Sequence, residues 1–104
     1  MTDDLIQIFD NDESLYDAVN ERTIEVLSEN GYDKDNPEES RYDAVSYHRL
    51  VGDAVQDLVN DLTDNLKDEN TLAGQIFRNA LLYVEWRKVG EHYYDDNTER
   101  LAES

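Results

Sequence analysis

The chain has 104 residues and carries 26 acids against nine bases, a formal net charge of −17, with no cysteine. That length makes one small domain able to bury roughly 60–68% of its unfolded surface, and a second independent core is not expected. The lack of cysteine excludes disulfides, thiolate metal sites and thiol catalysis, and so acidic a surface disfavours direct binding of nucleic acid or anionic membrane.

Self-repulsion at this charge pushes a chain toward disorder. Leu, Ile, Val and Phe nevertheless supply 25 of the 104 residues, above the roughly 20% at which a highly charged chain stays unfolded. Folding with a small stability margin is expected. The missing cysteines fit a reducing, cytoplasmic compartment. The opening MTDDLIQIFD has no basic n-region and only a short apolar run, so it reads as neither a signal peptide nor a membrane anchor.

Segment LIQIF, residues 5–9, fits either a short helix after Thr2 or an extended strand, and is taken as a short apolar element lying on a bundle. Asp10 with Glu13 resembles a capping box and Gly31 a C-terminal stop, which predicts a helix over 11–30 with Leu15, Val19, Val26 and Leu27 inward. The loop GYDKDNPEES follows. Asn36-Pro37 reads as an N-cap with proline in the first turn, opening a helix over 37–67. In that helix Ala44, His48, Val51, Val55, Leu58, Leu62 and Leu66 form an amphipathic stripe.

Asn70 or Thr71 is placed to cap a third helix over 71–94. Leu72, Ile76, Phe77, Ala80, Leu81, Val84 and Val89, with Tyr83 and Trp86, make it apolar around much of its circumference. It is expected to be the central helix, with Phe77 and Trp86 in the core. The tail EHYYDDNTERLAES is polar, and 95–104 is expected to fray. The chain thus reads as a single all-α acidic domain, 1–104, with three main helices, a short N-terminal element and a polar C-terminal tail. A central helix apolar on several sides leaves a homodimer open.

The acids are ordered. Glu13, Asp17, Glu21, Glu25 and Glu29 recur every four residues, and Asp53, Asp57, Asp61, Asp64 and Asp68 at steps of four, four, three and four. On a helix each set is a row with neighbouring charges about 5–6 Å apart, running roughly 22–24 Å along the axis. Eight adjacent acid pairs at a few tenths of a kcal/mol each oppose folding by about 2–4 kcal/mol, against a typical stability of about 5–15 kcal/mol. Glu29, Asp64 and Asp68 also lie near helix C-termini, where negative charge is unfavourable.

Charge is segregated along the chain as well. Residues 1–69 hold 20 acids and five bases, a net of −15; residues 70–90 hold one acid, Glu85, and three bases, Arg78, Arg87 and Lys88, a net of +2; the last fourteen residues return to −4. Charge runs are usually solvated helix faces, and adaptation to molar salt also produces acidic surfaces. The near absence of lysines on the rows and the total of −17 weigh against a merely solvated face but would also follow from salt adaptation; the nine asparagines are more than that adaptation leads one to expect, which puts functional acidity modestly ahead.

Rows of carboxylates 5–6 Å apart approximate the phosphate spacing of a nucleic-acid strand, about 7 Å. The expected partner is therefore a basic nucleic-acid-binding protein whose cleft the two rows occupy, with no chemistry performed. In charge character the chain resembles the DNA-mimic inhibitors of phages and plasmids, including anti-restriction and some anti-CRISPR proteins, though it carries no family motif. The resemblance implies targets such as restriction enzymes, CRISPR effectors, nucleases or nucleoid proteins.

The alternatives are an acidic immunity- or antitoxin-type partner of one basic protein, or a halophilic domain. In the immunity reading Tyr42, Tyr47, Tyr93 and Tyr94 would serve as anchors, since hot spots are usually aromatic or Arg. Tyrosines in a small bundle are more often packing residues.

No catalytic, cofactor or metal residues are assigned. His48 falls in the apolar stripe and reads as a core or semi-buried histidine, while His92 reads as a solvated surface residue. The sequence contains no Glu-x-x-His pair, His-Glu-x-x-His motif or glycine-rich phosphate loop. Asp33 and Asp35 resemble the start of a calcium loop, but Glu38 stands where glycine is required, Pro37 is foreign to such a loop, and Ala44 replaces the final glutamate.

Overall fold

The computed structural model describes residues 2–63 and 72–103. Among them are five α-helices and no strand: α1 (Thr2–Asn11), α2 (Glu13–Glu29), α3 (Ala44–Leu62), α4 (Leu72–Leu81) and α5 (Trp86–Glu103). A single 3-10 turn, Pro37–Glu39, lies between α2 and α3. The fold is all-α, with four long helices in place of the three expected.

The leading segment is helical. Leu5 and Phe9, one turn apart, are buried with Thr2 against the bundle. Asp12 breaks the chain between α1 and α2: its backbone is extended and its carboxylate accepts the Leu15 N–H at 3.1 Å. The cap is thus Asp12 and not Asp10, whose carboxylate instead accepts the Tyr93 hydroxyl at 3.1 Å.

At the far end of α2, Gly31 takes φ +73. The Tyr32 N–H then bonds back to the Leu27 carbonyl at 3.0 Å, and that of Gly31 to Ser28 at 3.4 Å. This double closure is the Schellman arrangement that a left-handed glycine permits.

The helix expected from residue 37 begins at Ala44. Asn36 makes no side-chain cap bond and Ser40 is extended, so the proline turn ends after three residues. The loop folds on itself: Asp33 accepts the N–H groups of Asp35 and Asn36 at 3.0 and 3.1 Å, and Arg41 donates to the Gly31 carbonyl at 3.1 Å. Asp43 is the true cap, accepting the Ser46 N–H at 2.8 Å, and these bonds hold its carboxyl below the usual range.

The buried row of α3 is Tyr47, Val51, Val55 and Val59. The predicted stripe was rotated from it: Val51 and Val55 are in the core, but Ala44 is exposed and Leu62 is 53% exposed. Leu66, Asn70, Thr71 and the Phe77 side chain, all assigned roles from sequence, lie outside the described residues.

The helix expected over 71–94 is two helices. Leu82, Tyr83 and Val84 close α4 with N–H bonds to Asn79, Ala80 and Leu81. The Glu85 N–H then donates to the Thr2 hydroxyl at 2.9 Å rather than to the preceding turn, and the Glu85 carbonyl accepts the first bonds of α5 from Lys88 and Val89. A contact from the N-terminus therefore sets the break. Residues 95–103, expected to fray, are the second half of α5 and bury Asn97. Trp86 opens α5 only partly buried, packed on the core rather than within it.

The central pair is α3 and α5, with α2 against both. A methyl group on Gly90 would sit on the His48 carbonyl and 2.6 Å from the Gly52 nitrogen, and one on Gly52 would meet the Trp86 carbonyl. The two helices touch backbone to backbone at this crossing. Above it Val51, Val55, Val89 and Tyr93 are fully enclosed. The Asn97 amide donates to Asn20 of α2 at 2.9 Å and to the Tyr93 carbonyl at 2.8 Å, a buried polar link between α5 and α2. Tyr47 lies nearly parallel to Tyr94 at 6.0 Å and donates to the Asn30 carbonyl at 2.9 Å, tying the loop to the bundle.

Two expectations follow. Gly90→Ala should destabilise the fold by about 3 kcal/mol or more, since no side chain can yield to the new methyl group; chemical denaturation measures it, and an unchanged midpoint would contradict the crossing. Burial and the Asp10 carboxylate raise the Tyr93 hydroxyl above its usual value. The native state then holds that proton more tightly than the unfolded chain, so this stability is present below about pH 10 and is lost as pH rises through the folded value. Tyr93→Phe should move the alkaline unfolding midpoint upward.

Candidate partner-binding surface

Two residues along a helix turn it by about 200°, and the acidic rows stand two residues out of step with the buried rows. In α2 the buried set includes Val19, Thr23 and Leu27, and the acids Glu13, Asp17, Glu21, Glu25 and Glu29 are all exposed. In α3 the buried set includes Val51, Val55 and Val59, and Asp53, Asp57 and Asp61 are exposed. Asp64 and Asp68, assigned to the same row, lie outside the described residues. The four-residue repeat that places valines in the core thus places carboxylates on the opposite, outermost face.

A third row was missed from sequence. Val89, Tyr93 and Asn97 are buried in α5, and Glu91, Asp95, Glu99 and Glu103 are exposed two residues out of step. The four-residue spacing was visible, but it fell in a segment expected to fray. The third row runs about 18 Å, the α2 row about 24 Å and the described part of the α3 row about 12 Å.

Neutralisation within the rows is sparse. Among the described residues, the ion pairs that reach them are Arg22–Glu25 at 3.7 Å and His48–Asp95 at 4.0 Å. Arg49 and Arg87 stand one helical turn before the α3 and α5 rows, not inside them. Arg100 turns away from the α5 row: it donates to the Tyr16 hydroxyl, lies 5.0 Å over that ring, and approaches Asp96 at 3.9 Å. Between α2 and α3 a shallow groove is walled by Ala18, Glu21, Arg22 and Glu25 on one side and Leu58 on the other. Two acids of the α2 row therefore border α3 beside Leu58, the neighbour of Asp57.

Both histidines and most of the candidate tyrosine anchors pack against the fold. His48 packs edge-on to Tyr94 at 4.8 Å and is semi-buried, as its place in the stripe suggested. His92, expected to be free in solvent, pairs with Asp10 at 3.2 Å and packs on Tyr93. Tyr47 and Tyr93 are fully buried and Tyr94 partly so, which makes three of the four candidate anchors packing residues. Among the described residues no three His, Asp or Glu groups are placed to hold a metal ion, and no described helix is long and apolar enough to cross a membrane. No protein-family model, curated protein or solved structure matches the chain.

Because the rows oppose folding, interrupting one should stabilise the protein. Glu21→Lys converts two repulsive neighbours, Asp17 and Glu25, into attractive ones, an expected gain of about 1 kcal/mol at low ionic strength. Thermal unfolding at low and high salt checks this, and the gain should shrink as salt screens the charges.

Proposed function

We propose that the protein is a non-enzymatic inhibitor that occupies the nucleic-acid-binding cleft of a basic protein by presenting carboxylates in place of phosphates. The observation that carries this reading is the exposure of every described acid in the rows, on the faces opposite the core. They are available to a partner without any rearrangement of the bundle. The third row on α5 strengthens the reading, because it adds four acids to a surface already lacking internal lysines. A Lys- and Arg-lined groove meeting such rows releases counterions, associates rapidly by electrostatic steering, and is displaced by salt.

The target class is a restriction enzyme, CRISPR effector, nuclease or nucleoid protein. The immunity-type alternative loses support from the burial of Tyr47 and Tyr93, since a hot spot needs an anchor that the partner can reach. Tyr42, 39% exposed, is the anchor left to it.

The test is capture of nucleic-acid-binding proteins on the immobilised chain, followed by competition with duplex DNA. Bound target should be released by DNA, and affinity should fall about a thousandfold or more between low and moderate salt. Replacing Glu21, Glu25, Asp57 and Asp61 together with lysine should abolish binding while the helical circular dichroism signal persists. Retained affinity in that variant, or a ternary complex of target, DNA and this protein, would contradict the mechanism.

A further inference from the structure

Of the nine asparagines, Asn30 alone is followed by glycine. Such a pair carries its own chemistry, because a glycine nitrogen with no side chain beside it can reach the amide carbon of the asparagine before it. The fold places the pair at the end of α2, on the closure from which the next loop hangs. Asn30 has φ −107 and ψ 22, and Gly31 has φ +73.

In the native state every group that chemistry needs is held. The Asn30 side-chain amide donates to the Val26 carbonyl at 2.7 Å, and the Asn30 carbonyl accepts the Tyr47 hydroxyl at 2.9 Å. The Gly31 N–H donates to the Ser28 carbonyl at 3.4 Å, and the Gly31 carbonyl accepts the Arg41 N–H at 3.1 Å. Torsion blocks the reaction as well. Ring closure requires the Gly31 nitrogen to eclipse the Asn30 Cβ about the Cα–C bond, and at ψ 22 that nitrogen lies on the far side of the bond from Cβ.

We propose that Asn30-Gly31 is a self-modification site at which the chain deamidates, gated by the cap of α2. When the cap opens, the Gly31 nitrogen gives its proton to hydroxide and attacks Cγ of Asn30. The new N–Cγ bond forms, the Cγ–Nδ2 bond breaks, and ammonia leaves with a proton taken from water. Water then opens the five-membered imide. Cleavage at Cγ yields aspartate, and cleavage at the former peptide carbonyl yields isoaspartate, with the chain running through the side-chain carbon. The sum is asparagine plus water giving acid plus ammonia, with no change of oxidation state.

The product does not rebuild the closure. A carboxylate replaces the amide that donated to Val26, and a further negative charge joins a chain of net −17 at a helix C-terminus, next to Glu29. A transient opening thereby becomes a permanent one. The α2 row favours that opening, since Glu25 and Glu29 repel one turn apart at this end, and salt that screens them holds the cap closed.

This gate does not depend on the inhibitor reading. Deamidation is slow beside cap opening, so its rate in the folded protein follows the population of the open form. The test is incubation at mildly alkaline pH, folded and in urea, with the reacted residue located by peptide mass mapping and isoaspartate labelling. In urea Asn30 should react ahead of the other eight asparagines; in the folded protein it should react more slowly, and more slowly again as salt is added. Tyr47→Phe removes one hydrogen bond made only by the closed cap, and should speed the folded reaction roughly fivefold while leaving the rate in urea unchanged. Glu29→Gln, at an exposed position, should slow the folded reaction. A folded rate equal to that in urea, or one unmoved by both substitutions, would overturn the gate. Reaction in urea that favours other asparagines over Asn30 would overturn the site.

Discussion

The structure depends on the backbone contact between Gly52 and Gly90. With no side chain at either position, α3 and α5 approach closely enough that a carbonyl of one occupies the space a Cβ of the other would need. That closeness sets the scale of the core, in which, among the described residues, six valines and two tyrosines are buried with three leucines and Phe9. It also fixes the rotation of both helices. Tyr47, Val51, Val55 and Val59 turn inward on one, and Val89, Tyr93 and Asn97 on the other. Helix α2 then docks through the Asn20–Asn97 amide pair, and α1 through the Thr2 hydroxyl and the Asp10 carboxylate.

The same rotation explains where the charge goes. A core row repeating every four residues has an outermost row two positions away, also repeating every four. The protein fills that row with acids in three helices. An ordinary solvated face mixes lysine with glutamate and gains a few tenths of a kcal/mol per pair; this one repels itself along its length. A valine-rich core in so short a chain offers limited hydrophobic stabilisation to set against that repulsion. Uniform charge, retained where alternating charge would stabilise, is what makes the surface a candidate for recognition, and it is why the proposed partner is basic.

Much of the local punctuation was legible. Gly31 ends α2 because a left-handed residue was needed there, and Val51 and Val55 lie where helical periodicity puts them. The departures share a cause, which is that contacts distant in sequence override local signals. Asn36-Pro37 has the form of a cap, but the loop closes onto Gly31 and Asp43 takes the role. No glycine or proline marks the break at residues 82–85; a hydroxyl from the N-terminus receives the Glu85 N–H and holds the chain out of the helix. The last eighteen helical residues look solvent-loving because five of them are acids, yet Asn97 bonds to Asn20 inside the bundle and the buried Tyr93 ring sends its hydroxyl to the Asp10 carboxylate at the surface. The fourth-residue repeat of Glu91, Asp95, Glu99 and Glu103 was as plain as the other two rows and was hidden only by the expectation that this segment frays.

The central claim is that the acids serve a partner and not a saline solvent. Thermal unfolding followed by circular dichroism, at about 0.1 M salt and again at molar salt, tests it most directly, because at the lower concentration the Debye length is about 10 Å and neighbouring acids still repel. The account predicts a cooperative transition from a fully helical state at the lower salt, with a modest rise in midpoint at the higher. A chain that folds only in molar salt would contradict it and identify the rows as an adaptation to the solvent.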